Sequence, residues 1–299
     1  MSNSQYHYPY YRSTSQLPLG SLPHNDYHAA AGTIQMLLES ARAQLVLSRI
    51  IAGPEMEPSL SGWQTSLVEP PKPPQEFISI YLEELQGFVL ESMPVDSKTL
   101  QQYQSGDHEG CYKRYRLLEI ACTAIHFLAV RLYQKYHPQP PLEDPTADPY
   151  SQKPYPEIRH QKYFFYKPSG DMKAVGFWVE AQIFGGVILF DRGLSGDECK
   201  SVWLHGRTRE YGKEVYQLPD DAVSGLLGQK YLPLELVWEE LPHRSLAAAQ
   251  QEGIYREFNL ARIREYHNFL TVCQRSRRNS GFAEDIELLE KKIQEALNK

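Results

Sequence analysis

The longest helical pattern in the chain runs from about residue 109 to residue 137. Its apolar residues recur in steps of four and three, the spacing that brings side chains to one face of an α-helix. They form one stripe: Cys111, Tyr115, Leu118, Cys122, Ile125, Ala129, Leu132 and Tyr136. A second stripe runs beside it: Leu117, Ala121, Ala124 and Leu128. An apolar face this wide exceeds a coiled-coil seam and predicts a central helix buried against several neighbours.

A proline-rich stretch follows, and the pattern then changes. Residues 138–157 carry seven prolines and predict a linker. Beyond it the apolar residues alternate with a period of two, which is typical of β-strands. Five antiparallel strands are predicted: 160–167, 173–182, 186–191, 200–205 and 213–218. Both faces of this meander are apolar, so both must be covered.

Helical patterns flank these segments on both sides. Asp26 is predicted to cap a helix that continues to about residue 52, and an amphipathic segment covers 76–92. A short helix is predicted from Pro219 to Gly228, and longer ones over 244–275 and 282–298. The predicted fold class is α+β: a helical N-terminal half packed with a roughly five-stranded antiparallel meander sheet and C-terminal helices.

The N-terminal 25 residues differ from the rest of the chain. They are rich in Tyr, Ser, Pro and His and have no apolar period. Such a segment buries too little apolar surface to offset the entropy of ordering it, so residues 1–25 are predicted to be a disordered tail. The remaining chain divides into a helical part, 26–137, and a sheet part, 158–299, either as two domains or as one compact domain.

Charge and cysteine usage restrict the compartment and the partners. The net charge of −6 gives no broad basic field for phosphates, which disfavours nucleic acid as the main partner. Four cysteines without a C-x-x-C pair are typical of reduced thiols in a cytoplasmic or nuclear protein. The sequence lacks a signal peptide and any uncharged apolar stretch near the ~18 residues that cross a bilayer, so no membrane association is expected.

Common catalytic and nucleotide-binding motifs are missing, and no cofactor is predicted. The chain has no G-x-G-x-x-G, G-x-x-x-x-G-K-[ST], H-E-x-x-H or G-x-S-x-G motif. His24 and His28 are four residues apart, as in a helical metal site, but a capping or solvated role fits them better, so no metal is predicted.

One block, residues 180–209, contains several side chains that could act as acids or bases or bind anions. It contains the acid–base candidates His205, Glu180 and Asp191 and the anion-binding candidates Arg192, Arg207 and Arg209. If strands 186–191 and 200–205 pair, Asp191 lies opposite Lys200, and His205 lies opposite Gly186. Asp191 and His205 are then about 16 Å apart along the sheet, too far for a hydrogen-bonded dyad.

The segment preceding this block carries an aromatic candidate. Trp178 is predicted to share a sheet face with Phe164 and Tyr166. This cluster either forms the floor of a ligand pocket or packs in the core of the sheet.

The stretch WVEAQIFGGVILFDRG, residues 178–193, resembles a set of uncharacterised fungal proteins. In those proteins a similar I-F-G-G-V-[IV]-L-F-D-R-G stretch is followed by strands and a short helix with acidic residues at its start. The resemblance covers about residues 155–240. It implies the fold of the C-terminal half and an intracellular fungal origin, and it implies no activity, cofactor or site residues.

Two functional hypotheses follow. The first is a non-catalytic interaction or regulatory protein that binds another protein, with the Tyr-rich tail as an adaptable contact segment. Self-association through the C-terminal helix fits this hypothesis. The second is a small-molecule hydrolase or transferase with an anion-binding site near Arg192, Arg207, Arg209 and His205. Nucleic-acid contact through residues 206–212 and 275–278 is a weaker third alternative.

Overall fold

The computed structural model describes residues 15–53, 73–106, 111–137, 173–193, 195–206, 214–228 and 241–256. Its α-helices are α1 (His24–Glu39), α2 (Ala41–Ala52), α3 (Gln75–Gln86), α4 (Ser97–Ser105), α5 (Cys111–Tyr136), α6 (Lys173–Phe184), α7 (Asp220–Leu227) and α8 (Leu246–Glu252). Its strands are β1 (Gln16–Pro18), β2 (Pro94–Asp96), β3 (Gly186–Asp191), β4 (Val202–Gly206), β5 (Glu214–Leu218), β6 (His243–Ser245) and β7 (Ile254–Tyr255). The predicted α+β class is confirmed.

Helix α5 is the centre of the helical half, as its two stripes predict. It packs against α1, α2, α4, α6 and α7. Its stripe residues Leu118, Cys122, Ile125, Leu128 and Leu132 are almost completely buried. They belong to one apolar cluster that also includes residues of the sheet, so the two halves of the chain share a core.

The same helix passes a test of length and composition for a membrane span. Residues Tyr112–Tyr136 are long and apolar enough to cross a bilayer, and they are the one such helix within the described residues. Most of this segment is buried inside the structure, so packing in the core explains its apolar side chains. Length and composition alone are weak evidence for a span.

The sheet has the strand order β6-β5-β4-β3-β7, with every neighbouring pair antiparallel. The predicted meander is confirmed for β3, β4 and β5. Its edge strands were not predicted: β6 and β7 lie where a helix over 244–275 was expected to begin, and only α8 between them is helical. Gly253, with φ of 101°, ends α8 in a left-handed conformation and turns the chain into β7.

The predicted strand 173–182 is wrong, because these residues belong to helix α6. Val175, Val179 and Ile183 pack into the main cluster, whereas Phe177 and Ala181 pack on the other face of the sheet. Each set is spaced by four residues, as a helix requires. The sequence is apolar on almost every side, which hides the helical period and mimics a buried strand.

The structure also differs from the predicted tail over residues 15–25. Strand β1 pairs with β2, and Leu19 and Leu22, which follow it, are buried in the main cluster. Helix α1 begins at His24 after Pro23, so Asp26 is not its cap. Asp26 lies in the first turn and forms an ion pair with Lys113 at 2.7 Å. Residues 1–14 lie outside the described residues.

One predicted helix is interrupted and another is shorter than predicted. The helix expected over 26–52 is broken at Ser40, whose extended backbone separates α1 from α2 and whose hydroxyl accepts a hydrogen bond from the Ala43 amide. The segment expected over 76–92 leaves the helix after Gln86. Most of 53–75, the linker 138–157, the strand 160–167 and the helix 282–298 lie outside the described residues.

Two helical glycines make a matched pair for a stability prediction. A Cβ on Gly176 would lie 2.5 Å from Nδ1 of His126, whose ring is held by Phe177, whereas a Cβ on Gly32 would meet no atom within 4 Å. We expect Gly176→Ala to destabilise the fold by about 1–3 kcal/mol through overpacking. Gly32→Ala should stabilise it by about 0.5–1 kcal/mol through helix propensity. Urea unfolding measures both, and changes of the same sign would contradict the assigned packing.

Candidate functional site

Arg192, the first anion-binding candidate, lies in a buried ion cluster between α5 and the end of β3. It has no exposed surface. Its guanidinium binds both carboxylate oxygens of Glu119, at 2.6 and 3.3 Å, and Nη2 donates to the Arg256 carbonyl at 2.7 Å. Arg116, one turn before Glu119 on α5, donates to the same carboxylate at 2.5 Å and to the Asp197 carbonyl at 2.8 Å. One carboxylate therefore joins two arginines.

The charges of this cluster are fixed by their mutual contacts. Burial alone would raise the pKa of Glu119, but Arg192 and Arg116 outweigh it and lower that pKa to about 2. Burial opposes the charge of Arg116, and Glu119 outweighs that cost and raises the pKa of the guanidinium. Glu119 and Arg116 are therefore ionised at neutral pH, and the carboxylate is bound by buried groups of the protein itself.

The lowered pKa of Glu119 gives a pH prediction. Because the pKa in the folded state is about 2, below its ordinary value of 4.5, the stabilisation is present above about pH 4.5 and is lost as the pH falls toward 2. We expect the wild type to lose more unfolding free energy than Glu119→Gln between about pH 6 and about pH 3. Equal losses in urea titrations would contradict the assignment.

A second buried group surrounds Glu180, an acid–base candidate on α6. Its carboxylate lies 2.6 Å from Nε2 of His126 and 3.0 Å from Nη2 of Arg256. It also accepts a hydrogen bond from the Ile188 amide at 2.6 Å, and Arg256 donates to the Ile188 carbonyl at 3.1 Å. Ile188 lies within β3, beyond the point where the pairing of β3 with β7 ends. The Glu180–Arg256 pair thus satisfies the backbone groups that a longer strand would have paired.

Two free cysteines border these groups and are both buried. Burial raises the pKa of the Cys122 thiol well above its usual range. Burial likewise raises the pKa of Cys199 to about 12, although Arg116 and Arg192 act in the opposite direction. Both thiols are protonated at neutral pH, which disfavours a nucleophilic role.

Asp191 and His205 lie on neighbouring strands in a register one residue away from the predicted one. His205 is opposite Val187, and Gly186 is opposite Gly206. The amide of Asp191 bonds to Ser201 and its carbonyl to Lys200, so two residues oppose one, as in a β-bulge. This extra residue accounts for the shift.

The new register keeps the two acid–base candidates apart. Asp191 is four residues from Val187 along β3, or about 13 Å. The Asp191 carboxylate accepts from the Gly193 amide at 2.9 Å and forms a turn. His205 is buried, with 2% of its surface exposed.

The remaining candidates do not join these groups. Trp178 is half-buried on α6 and packs against both apolar clusters, so its predicted position on a strand is wrong. Arg207 and Arg209, together with Phe164 and Tyr166, lie outside the described residues.

Sequence reasoning missed Arg116, Glu119 and Arg256. The signal for the first two was present, since Arg116 and Glu119 interrupt the apolar pattern of α5 beside Leu118 and Cys122. A charged pair three residues apart inside a wide apolar face indicates buried charges that need a partner. No sequence feature near Arg256 indicates its role, because that role depends on where β7 ends.

A surface groove lies on the outside of the helical half and is here termed the α1 groove. It encloses about 420 Å³ and is lined by Tyr27, His28, Ala31, Gly32, Gln35, Phe88, Val89, Leu90 and Glu91. Val89 is 58% exposed, which is unusual for a large apolar side chain beside a concave surface. Phe88 continues the apolar surface to Phe127, itself 38% exposed, with ring centroids 6.1 Å apart.

The described residues contain no group of three or more His, Cys, Asp or Glu side chains that could hold a metal. His24 and His28 are edge to face, with ring centroids 4.2 Å apart. No protein-family model, curated protein or solved structure matches the chain.

Proposed function

We propose that this chain is a non-catalytic interaction protein and that the α1 groove is its contact surface for another protein. The observation that carries the proposal is the groove itself, whose lining includes the exposed Val89 and the open backbone of Gly32. Its volume lies within the range of about 300–1,000 Å³ that ligand pockets occupy, and its lining is mixed apolar and polar. Interface cores are rich in such aromatic and apolar side chains.

Burial of the charged candidates supports the proposal against the enzyme alternative. Arg192 would have to give up Glu119 to bind a substrate anion, and Glu180 would have to give up Arg256 and the Ile188 amide. Breaking buried ion pairs of this kind costs several kcal/mol. The perturbed pKa of Glu119 is therefore explained by a structural role.

The compartment remains the cytoplasm or nucleus in this proposal. The support is that Cys122 and Cys199 are buried and form no disulfide within the described residues. The net charge of −6 favours a protein partner over nucleic acid.

Filling the groove tests the proposal. Gly32→Leu places a side chain in open space within the groove, whereas Ala29→Leu adds the same bulk to an exposed position of α1 outside the groove lining. Each tagged variant is purified from the cells that make the protein, and the chains that co-purify in stoichiometric amounts are quantified. We expect Gly32→Leu to lose a partner that the wild type and Ala29→Leu retain. Equal recovery with all three would refute the groove as the contact surface.

A further inference from the structure

We propose that the Tyr-rich N-terminal segment of this same chain, residues 6–12, occupies the α1 groove and competes there with the partner. This inference rests on the proposed function, because it names a ligand for the same groove. Three observations support it: where the described chain begins, what the groove offers, and the open space above Gly32.

The described chain begins one short strand away from a wall of the groove. The Ser15 hydroxyl lies 2.6 Å from that of Ser97, and β1 pairs with β2. The turn after β1 lies against Glu91, since a Cβ on Gly20 would overlap with Glu91 Cγ. The 14 residues before Ser15 therefore start five residues before the Gly20–Glu91 contact, or at most about 17 Å from Gly20.

The N-terminal segment is long enough to reach the groove. Eight residues separate Ser97 from Val89, so these positions are at most about 28 Å apart. Nine residues separate Ser15 from Tyr6, with a reach of about 31 Å. Tyr6 can therefore reach Val89 even at that greatest separation.

The chemistry of the segment matches that of the groove. Residues 6–12 read YHYPYYR, with four tyrosines, one proline and one arginine. Tyrosine combines an apolar ring with a hydroxyl, which suits the apolar floor of Ala31 and Gly32 beside the polar Gln35. The lining also offers Glu91 as a carboxylate for the arginine.

Gly32 is the feature that the fold itself does not explain. Glycine inside a helix weakens it, and here a Cβ would meet no atom within 4 Å. Open space above a helical glycine permits close approach by another group. An aromatic ring lying on the helix backbone would use that space.

Trypsin cleavage after Arg12 in the full-length protein tests the inference. Docking protects this bond, so brief digestion should release residues 1–12 about ten-fold more slowly from the wild type than from Gly32→Leu, as read by intact mass. Val89→Asp, which changes an exposed side chain, should accelerate cleavage as well, and Ala29→Leu should behave as the wild type. An excess of a synthetic peptide of residues 1–11 should accelerate cleavage of the wild type.

Other outcomes would overturn it. Equal cleavage rates in the wild type, Gly32→Leu and Val89→Asp, with unchanged melting temperatures, would refute docking of the segment. If the wild type sediments as a dimer and Gly32→Leu as a monomer, the occupant is a second copy and the inference is wrong. Loss of the co-purifying partner in Gly32→Leu without any change in cleavage would leave the proposed function standing and refute only this inference.

Discussion

Replacing Glu119 with glutamine is expected to lower the free energy of unfolding by about 3–5 kcal/mol. The carboxylate is the shared partner of Arg192 at 2.6 Å and Arg116 at 2.5 Å, and both guanidinium groups are completely buried. A neutral amide leaves two buried positive charges without compensation. Urea unfolding at neutral pH measures the loss.

A surface ion pair provides the matched control. Arg244 and Glu252 are 3.3 Å apart, and both side chains are about half exposed. Glu252→Gln should therefore change the unfolding free energy by less than about 1 kcal/mol. If Glu119→Gln were no more destabilising than Glu252→Gln, the buried cluster would not be a structural element.

Truncation of Ile125 to alanine is expected to destabilise the protein by about 2–5 kcal/mol. Ile125 lies on the central stripe of α5 and is 1% exposed. The substitution removes three carbon atoms from the shared core and leaves a cavity that the surrounding helices fill only in part. Ile125→Val, which removes one carbon, should cost about 0.5–1.5 kcal/mol. A loss below half a kcal/mol for Ile125→Ala in chemical denaturation would show that α5 is not central.

The elements predicted correctly are those whose apolar stripe or short apolar run has clear limits in the sequence. Helix α5 has two adjacent stripes over 26 residues, and β3, β4 and β5 carry short apolar runs separated by turns. Helix α6 escaped prediction because it is buried on all sides, between the main cluster and the far face of the sheet. A helical period is hidden in the sequence when every side of the helix is apolar.

The break between α1 and α2 and the bulge between β3 and β4 were not predictable from the local sequence. Ser40 ends α1 through its own backbone geometry, and the hydroxyl that caps α2 also fits a helix interior. The bulge at Lys200 and Ser201 shifts the register by one residue without any proline or glycine to mark it.

The candidate site was predictable only in its residue types. The block 180–209 does contain Glu180 and Arg192, but sequence cannot tell a buried, paired charge from one that awaits a substrate. Glu119 and Arg256, which decide that question, lie 73 and 64 residues away from Arg192. The α1 groove has no motif, because it forms where α1 meets the segment after α3.

Photo-cross-linking from position 89 tests the central claim most directly. A benzoylphenylalanine in place of Val89 would stand at the groove and, with 58% of the native side chain exposed, should leave the fold unchanged. The same residue in place of Ala29 is the control outside the groove lining. Irradiation in the cells that make the protein is expected to give a discrete covalent adduct with another protein at position 89 and none at position 29. No adduct at 89, or the same adducts at both positions, would contradict an interaction surface in the α1 groove.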